Sequence, residues 1–197
     1  MSLFDQFKIT GKVVIIDKDT ILQMRNEDNP YNQLESISLS SKELYMIMNN
    51  DYPHSWRKVL FVLLVHYKVK QGIYTEVDNR RVDSDISTIL SDAHTTLSVE
   101  KRMDMLSKFE EDGYIEMPNG GKQAKYLFLN YIDEEPQDEL VVITDFFDFY
   151  LYFEQYVKGG RLIYCQECGK LVHVVKEKDT SSKYCKKCQK HKELEWK

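Results

Sequence analysis

The sequence predicts a mixed α+β chain: a helical main domain closed by a short β-hairpin, followed by a small C-terminal module built on cysteines. Three observations predict it. Apolar residues recur at helical spacing in three stretches between residues 55 and 112. Two alternating runs flank the turn Pro118-Asn119-Gly120-Gly121. All four cysteines fall in two C-x-x-C pairs.

Residues 1–52 read as an N-terminal β/α extension. Within it, Val13 to Ile16 form a β-branched run, so residues 8–22 are predicted to be extended. Arg25 to Ser38 contain Asn-Glu-Asp-Asn-Pro and have loop character. Ser40 or Ser41 caps a short helix through Met48. After Pro53, residues 55–70 form an apolar helix in which Leu60, Leu63, Leu64 and Tyr67 repeat at helical spacing. Residues 72–77 alternate as a short strand. Asp83 or Ser84 begins a helix carrying Ile86, Ile89 and Leu90, and Ser91 to His94 make a turn. Thr95 or Thr96 caps a longer helix with Val99, Met103, Leu106 and Phe109 on its inner face, ending at Asp112-Gly113, where glycine accepts the left-handed conformation. Residues 114–117 and 125–131 are the two strands of the hairpin.

Helix, strand, helix, turn, helix and hairpin, in that order over residues 53–131, is the arrangement of a winged helix-turn-helix. The stretch KRMDMLSKFEEDGYIEM resembles the winged-helix consensus of bacterial regulators and replication initiators, and HSWRKVLFVLLVHYKVKQG is similar to the first helix of that family. The resemblance implies duplex DNA as a partner, with the second helix of the turn motif in the major groove. On that expectation the contacting residues are Thr95, Thr96, Ser98, Lys101 and Arg102, with Arg80 and Arg81 before the turn motif and Lys122 and Lys125 in the wing. Glu100 and Asp104 oppose them, and Lys58, Lys68 and Lys70 lie further round the domain.

Residues 132–160 combine an acidic linker with an aromatic helix, which Thr144 or Asp145 caps and Gly159-Gly160 close. Two readings of the aromatic run 145–157 stand side by side: packing between modules, and a homodimer interface. Residues 161–197 hold the cysteine module. Cys165-x-x-Cys168 and Cys185-x-x-Cys188 are 16 residues apart, the spacing of a four-cysteine site in which two knuckles place four thiolates around one Zn²⁺. Leu171 to Val175 read as a strand and Gln189 to Trp196 as a final helix. His173 and His191 are spare. The module resembles the zinc ribbons and treble clefs that end many phage and plasmid proteins. Four sulfur ligands imply a structural rather than a catalytic ion, whose removal is expected to unfold residues 160–197 while residues 53–131 stay folded.

Charge is unevenly spread. The net of −5 divides into +5 over residues 159–197, −7 over 132–158, zero over 53–131 and −3 over 1–52. Lys183, Lys186 and Lys187, with Lys190 and Lys192, make a basic run around the second knuckle, read either as a DNA-contacting surface or as a solvated face. The longest apolar run, Val59 to Val65, is far short of the roughly 20 residues of a membrane span. The sequence MSLFDQFKIT lacks the pattern of a secretory signal, so a cytoplasmic address with reduced thiols is expected. No glycine-rich phosphate loop, Ser/His/Asp order or carboxylate pair with mechanistic spacing is visible, so no catalysis is expected. Two functions follow as expectations. One is a sequence-specific DNA-binding protein, a transcription regulator or replication-initiation factor, including one of a mobile element. The other is an adaptor that grips a polymerase, helicase or host factor.

Overall fold

The computed structural model describes residues 34–73, 80–118, 127–175 and 183–195. The predicted extended run 8–22 lies outside them. In chain order the elements are β1 (Ile37–Leu39), α1 (Ser41–Met48), α2 (His54–Ile73), β2 (Arg81–Val82), α3 (Ile86–Asp92), α4 (Val99–Glu111), β3 (Ile115–Glu116), β4 (Leu127–Leu129), β5 (Val141–Ile143), α5 (Tyr150–Lys158), β6 (Arg161–Tyr164), β7 (Leu171–Val174) and α6 (Lys186–Glu195). The class is mixed α+β, and the described residues form three small antiparallel sheets: β1-β5, β2-β4-β3 and β6-β7.

Helix α2 is the axis of the core. Every residue from Lys58 to Tyr67 is buried, which covers all sides of a helix at 3.6 residues per turn. Around it pack α1, α3, α5, β1 and β2. The helix runs past its predicted end through Gly72 and Ile73, and β2 begins only at Arg81, so the predicted strand 72–77 is corrected at its first two residues. A Cβ on Gly72 would meet Leu34 Cδ2 at 2.5 Å. A side chain at this position would require Leu34 to shift.

Ser40 caps α1: its Oγ accepts from the Glu43 N–H, and the Glu43 carboxylate accepts from the Ser40 N–H. Glu43 is fully buried. Its Oε1 also takes Lys68 Nζ at 2.8 Å and the Asp133 N–H at 3.1 Å. The acidic stretch predicted as a linker is therefore packed back on the N-terminal side. Asp133 accepts from Ser40 Oγ, Glu139 from Ser38 Oγ and Asp138 from the Ser41 N–H. Strand β5 then pairs with β1, Ile37 opposite Ile143. One core cluster consequently runs from Ile37 to Leu171, across the boundaries expected at residues 53, 132 and 161.

Asp85, not Asp83 or Ser84, caps α3, accepting from the N–H groups of Ser87 and Thr88. His66 on α2 braces this short helix at both ends: Nδ1 meets Ser84 Oγ and Nε2 meets Asp92 Oδ2, each at 2.8 Å. The chain thus joins a serine, a histidine and an aspartate whose sequence order suggested no such set, and here they fasten α3 to the central helix. The turn after α3 rests on α5, where His94 stacks on Tyr150 with ring centroids 4.0 Å apart.

Helix α5 starts at Tyr150, later than predicted, because the Asp145 carboxylate accepts from Phe147 and Asp148 N–H groups and holds residues 145–148 in a turn. Phe153 is fully buried with its ring 5.3 Å from Phe61 on α2. Phe146, Phe149, Leu151 and Tyr152 are also buried within the chain, while Phe147, Tyr156 and Val157 remain exposed. Glu154 anchors the helix to α2 through His54 at 3.0 Å and Lys58 at 3.6 Å, and pairs with Lys158 on its own helix at 2.5 Å. Burial alone would raise its pKa, but Lys158 and His54 outweigh burial and hold it down to about 2. Because the folded value lies below the unfolded one, this carboxylate stabilises the fold fully above about pH 4.3, and the contribution disappears as pH falls toward 2. Acid titration followed by circular dichroism should show this loss, and Glu154→Gln should flatten the curve across that window. An unchanged curve would refute the assignment.

Candidate metal centre

Strand β6 delivers Cys165 at its C-terminal end, and Cys168 follows across a turn that Gly169 closes at φ 66°. Glycine also sets the strand's entry, since a Cβ on Gly160 would lie 2.3 Å from the Val174 carbonyl oxygen. The hairpin can close only without a side chain there. Strand β7 starts at Leu171, as expected from the sequence. β6 was not foreseen, because RLIY lacks the strict apolar/polar alternation that marks a half-buried strand. Cys185 and Cys188 occupy the start of α6, with the Gln189 N–H donating to the Cys185 carbonyl. The Gln166 N–H donates to the Lys183 carbonyl at 2.9 Å and holds the two knuckles against each other.

The four Sγ atoms all lie within 4.8 Å of one another. Cys168 Sγ and Cys185 Sγ are 3.8 Å apart, too far for the roughly 2.05 Å of a disulfide. A tetrahedron with metal–sulfur bonds of about 2.3 Å has edges of roughly 3.8 Å. The four cysteines are thus positioned to hold a metal ion. Cys165 is buried and the other three are half-buried.

Backbone donors favour thiolate. The Cys185 N–H lies 3.2 Å from Cys165 Sγ, and the Cys188 N–H 3.5 Å from Cys185 Sγ. Burial pushes the Cys165 thiol up, but N–H groups of Cys185, Cys168 and Glu167 outweigh it and bring it down to about 6. Burial and the neighbouring sulfurs push Cys188 well up. Crowded sulfurs of this kind resist a second negative charge until a cation joins them. His173 is not among the ligands: its Nε2 lies 2.7 Å from the Gly159 carbonyl.

The residues expected to face DNA are distributed differently from the sequence reading. Ser98, rather than Thr95 or Thr96, caps α4, accepting from the Lys101 N–H. Thr95 belongs to the preceding turn, donating its N–H to Leu90 and its hydroxyl to Ala93. The inner face of α4 is Met105, Leu106 and Phe109, while Val99 is 72 % exposed and Met103 38 %. The predicted stripe of Val99 and Met103 is therefore corrected by a rotation of the helix. That rotation turns Arg102 half-inward, where Nη1 donates to Ser87 Oγ at 3.3 Å and Nε is buried without a hydrogen-bond partner among the described residues. Thr96, Ser98 and Lys101 stay exposed. Arg80 is exposed and donates to Asn130, whereas Arg81 pairs with Asp83, which Lys70 also reaches. Lys58 and Lys68 are paired with Glu154 and Glu43. Lys122 and Lys125 lie outside the described residues. Lys183, Lys186 and Lys187 are exposed beside the metal centre. Among the described residues no helix is long and apolar enough to cross a membrane. Comparison of the chain with protein-family models, curated proteins and solved structures found no match.

Proposed function

We propose that the protein is a sequence-specific duplex-DNA-binding protein of winged helix-turn-helix type, a transcription regulator or replication-initiation factor, with a structural Zn²⁺ in its cysteine module. The order α2, β2, α3, α4, β3, β4 with sheet order β2-β4-β3 supports the winged-helix reading. One observation carries the function. Helix α4 packs on the core through Met105, Leu106 and Phe109 and reaches α3 through Arg102, while residues 98–101 at its start project into solvent. A groove-reading helix needs that projection. On it, Ser98 and Lys101 suit phosphates, and Val99 and Met103 suit thymine methyl groups. Arg102 acts by positioning α4 against α3 rather than by touching a base. Four sulfur ligands leave no open coordination position, so a bound Zn²⁺ supplies folding free energy to the module and no reaction step.

Random-library duplex selection with zinc-loaded protein should return one motif. Lys101→Glu should weaken binding to that motif at least tenfold in a polarisation assay; binding as tight as wild type would remove α4 from the interface. A protein-interaction adaptor is the second reading, favoured by the exposed Glu100 and Asp104 beside Val99 and Met103. Affinity capture yielding a stable polymerase, helicase or host partner, with no motif selected, would establish it instead.

A further inference from the structure

Phosphate attraction supplies most of the affinity of DNA-binding proteins, yet α4 is poorly equipped for it. Its exposed residues include Glu100, Asp104, Glu110 and Glu111 against Lys101 and Lys108, and Lys108 is paired with Glu111 and Asp112. The cations Lys58, Lys68, Lys70 and Arg81 are also paired with carboxylates. Residues 1–158 together carry a net charge of −10. A molecule of this charge meets a polyanion only through a cationic pole.

Helix α6 is such a pole. Its lysines follow a strict geometry relative to the cysteines. At about 100° per residue, Cys185 and Cys188 point one way, and Lys186, Lys187 and Lys190 are centred on the opposite side. All three lysines are exposed, as is Lys183 on the approach to the helix. None of the four takes part in an ion pair among the described residues. No Asp or Glu occurs from residue 183 to 192, and none lies in the first turn of the helix, where acids normally offset the positive end of the dipole. The helix is tied to the chain at its beginning, through the Cys185 N–H to Cys165 Sγ and the Lys183 carbonyl to Gln166. We infer that the metal centre holds α6 with its basic face outward as a phosphate-binding arm for duplex DNA, separate from the face of α4 that reads sequence. This rests on the duplex-binding reading above.

The test measures Kd for the selected duplex against salt concentration, using zinc-loaded full-length protein. Each phosphate contact contributes about 0.9 to the slope of log K against log salt. The variant Lys186→Gln/Lys187→Gln/Lys190→Gln should lower that slope by about 2 to 3 and weaken binding at least tenfold near 0.1 M salt. The corresponding triple arginine variant should keep the wild-type slope, which separates lost charge from a damaged fold. Val99→Ser with Met103→Ser, both at exposed positions, should lose preference for the motif over a scrambled duplex. An unchanged slope in the glutamine variant overturns the arm and leaves the α4 reading standing. A reduced slope in the glutamine variant, with motif preference intact in Val99→Ser/Met103→Ser, overturns the α4 reading and keeps the arm. Wild-type protein that binds no duplex at low salt overturns both. Equal slopes on single-stranded RNA and duplex DNA would overturn the assignment of duplex as the partner.

Discussion

Chelation of the metal is expected to unfold residues 161–195 and to loosen α5 with them. Four-cysteine zinc sites supply apparent folding free energies of about 10–16 kcal/mol in small modules, as large as the roughly 5–15 kcal/mol stability of a whole domain. The hairpin has little else to hold it, since β6 and β7 are four residues each and most of their side chains are only half-buried. Leu171 is the exception, 3 % exposed in the main core, with Leu162 and Tyr164 packed against it. α5 contacts both strands, so loss of the hairpin uncovers one side of α5. Hydrogen exchange should therefore show protection lost over β6, β7 and α6, lowered over α5 and kept over α2. Cys165→Ser should give the same pattern without chelator. Identical exchange and melting with and without metal would show that the cysteines do not hold a stabilising ion.

Glu43→Ala should be strongly destabilising, on the scale of truncating a buried core phenylalanine. The side chain is fully buried and receives Lys68 Nζ and the N–H groups of Ser40 and Asp133. Its removal leaves an ammonium group whose side chain is only 17 % exposed without a carboxylate, together with two orphaned donors. Breaking a buried pair in this way costs about 3–5 kcal/mol. For a chain of this size that lowers Tm by roughly 10 °C. Glu43→Leu with Lys68→Met should recover much of the loss, because neither charge then remains buried. Thermal melts of the three proteins check this, and a loss below about 1 kcal/mol would mean that water reaches Lys68.

The sequence was most legible where the signal is local. C-x-x-C spacing needs only neighbouring residues, and so do the Ser40 capping box, the end of α4 at Gly113 and the end of α5 at Gly159. Signals that depend on partners were hidden. For α4 the expected inner stripe was 99-103-106-109, whereas the folded helix turns 102-105-106-109 toward the domain. Arg102 gives the 102-105-106-109 stripe a charged member, and only the presence of α3 with Ser87 explains a guanidinium at that inner position. Glu43 is the acid of a capping box, a local signal, and only the folded chain brings Lys68 and Asp133 around it. The acidic run after residue 132 read as a spacer because its charges find their partners, Ser38, Ser40, Ser41 and Lys42, some 90 to 100 positions earlier. Such distant pairing leaves no periodic trace.

The β1-β5 pairing has a kinetic meaning. Ile37 meets Ile143 across more than half the chain, and contacts of such long sequence separation slow folding because their loop entropy is lost before the contact forms. During synthesis α1 emerges long before the strand that closes over it, and the buried Glu43 waits for Asp133. The nascent N-terminal half therefore leaves the ribosome with its edge strand open, and the acidic segment that arrives later is the piece that shuts it.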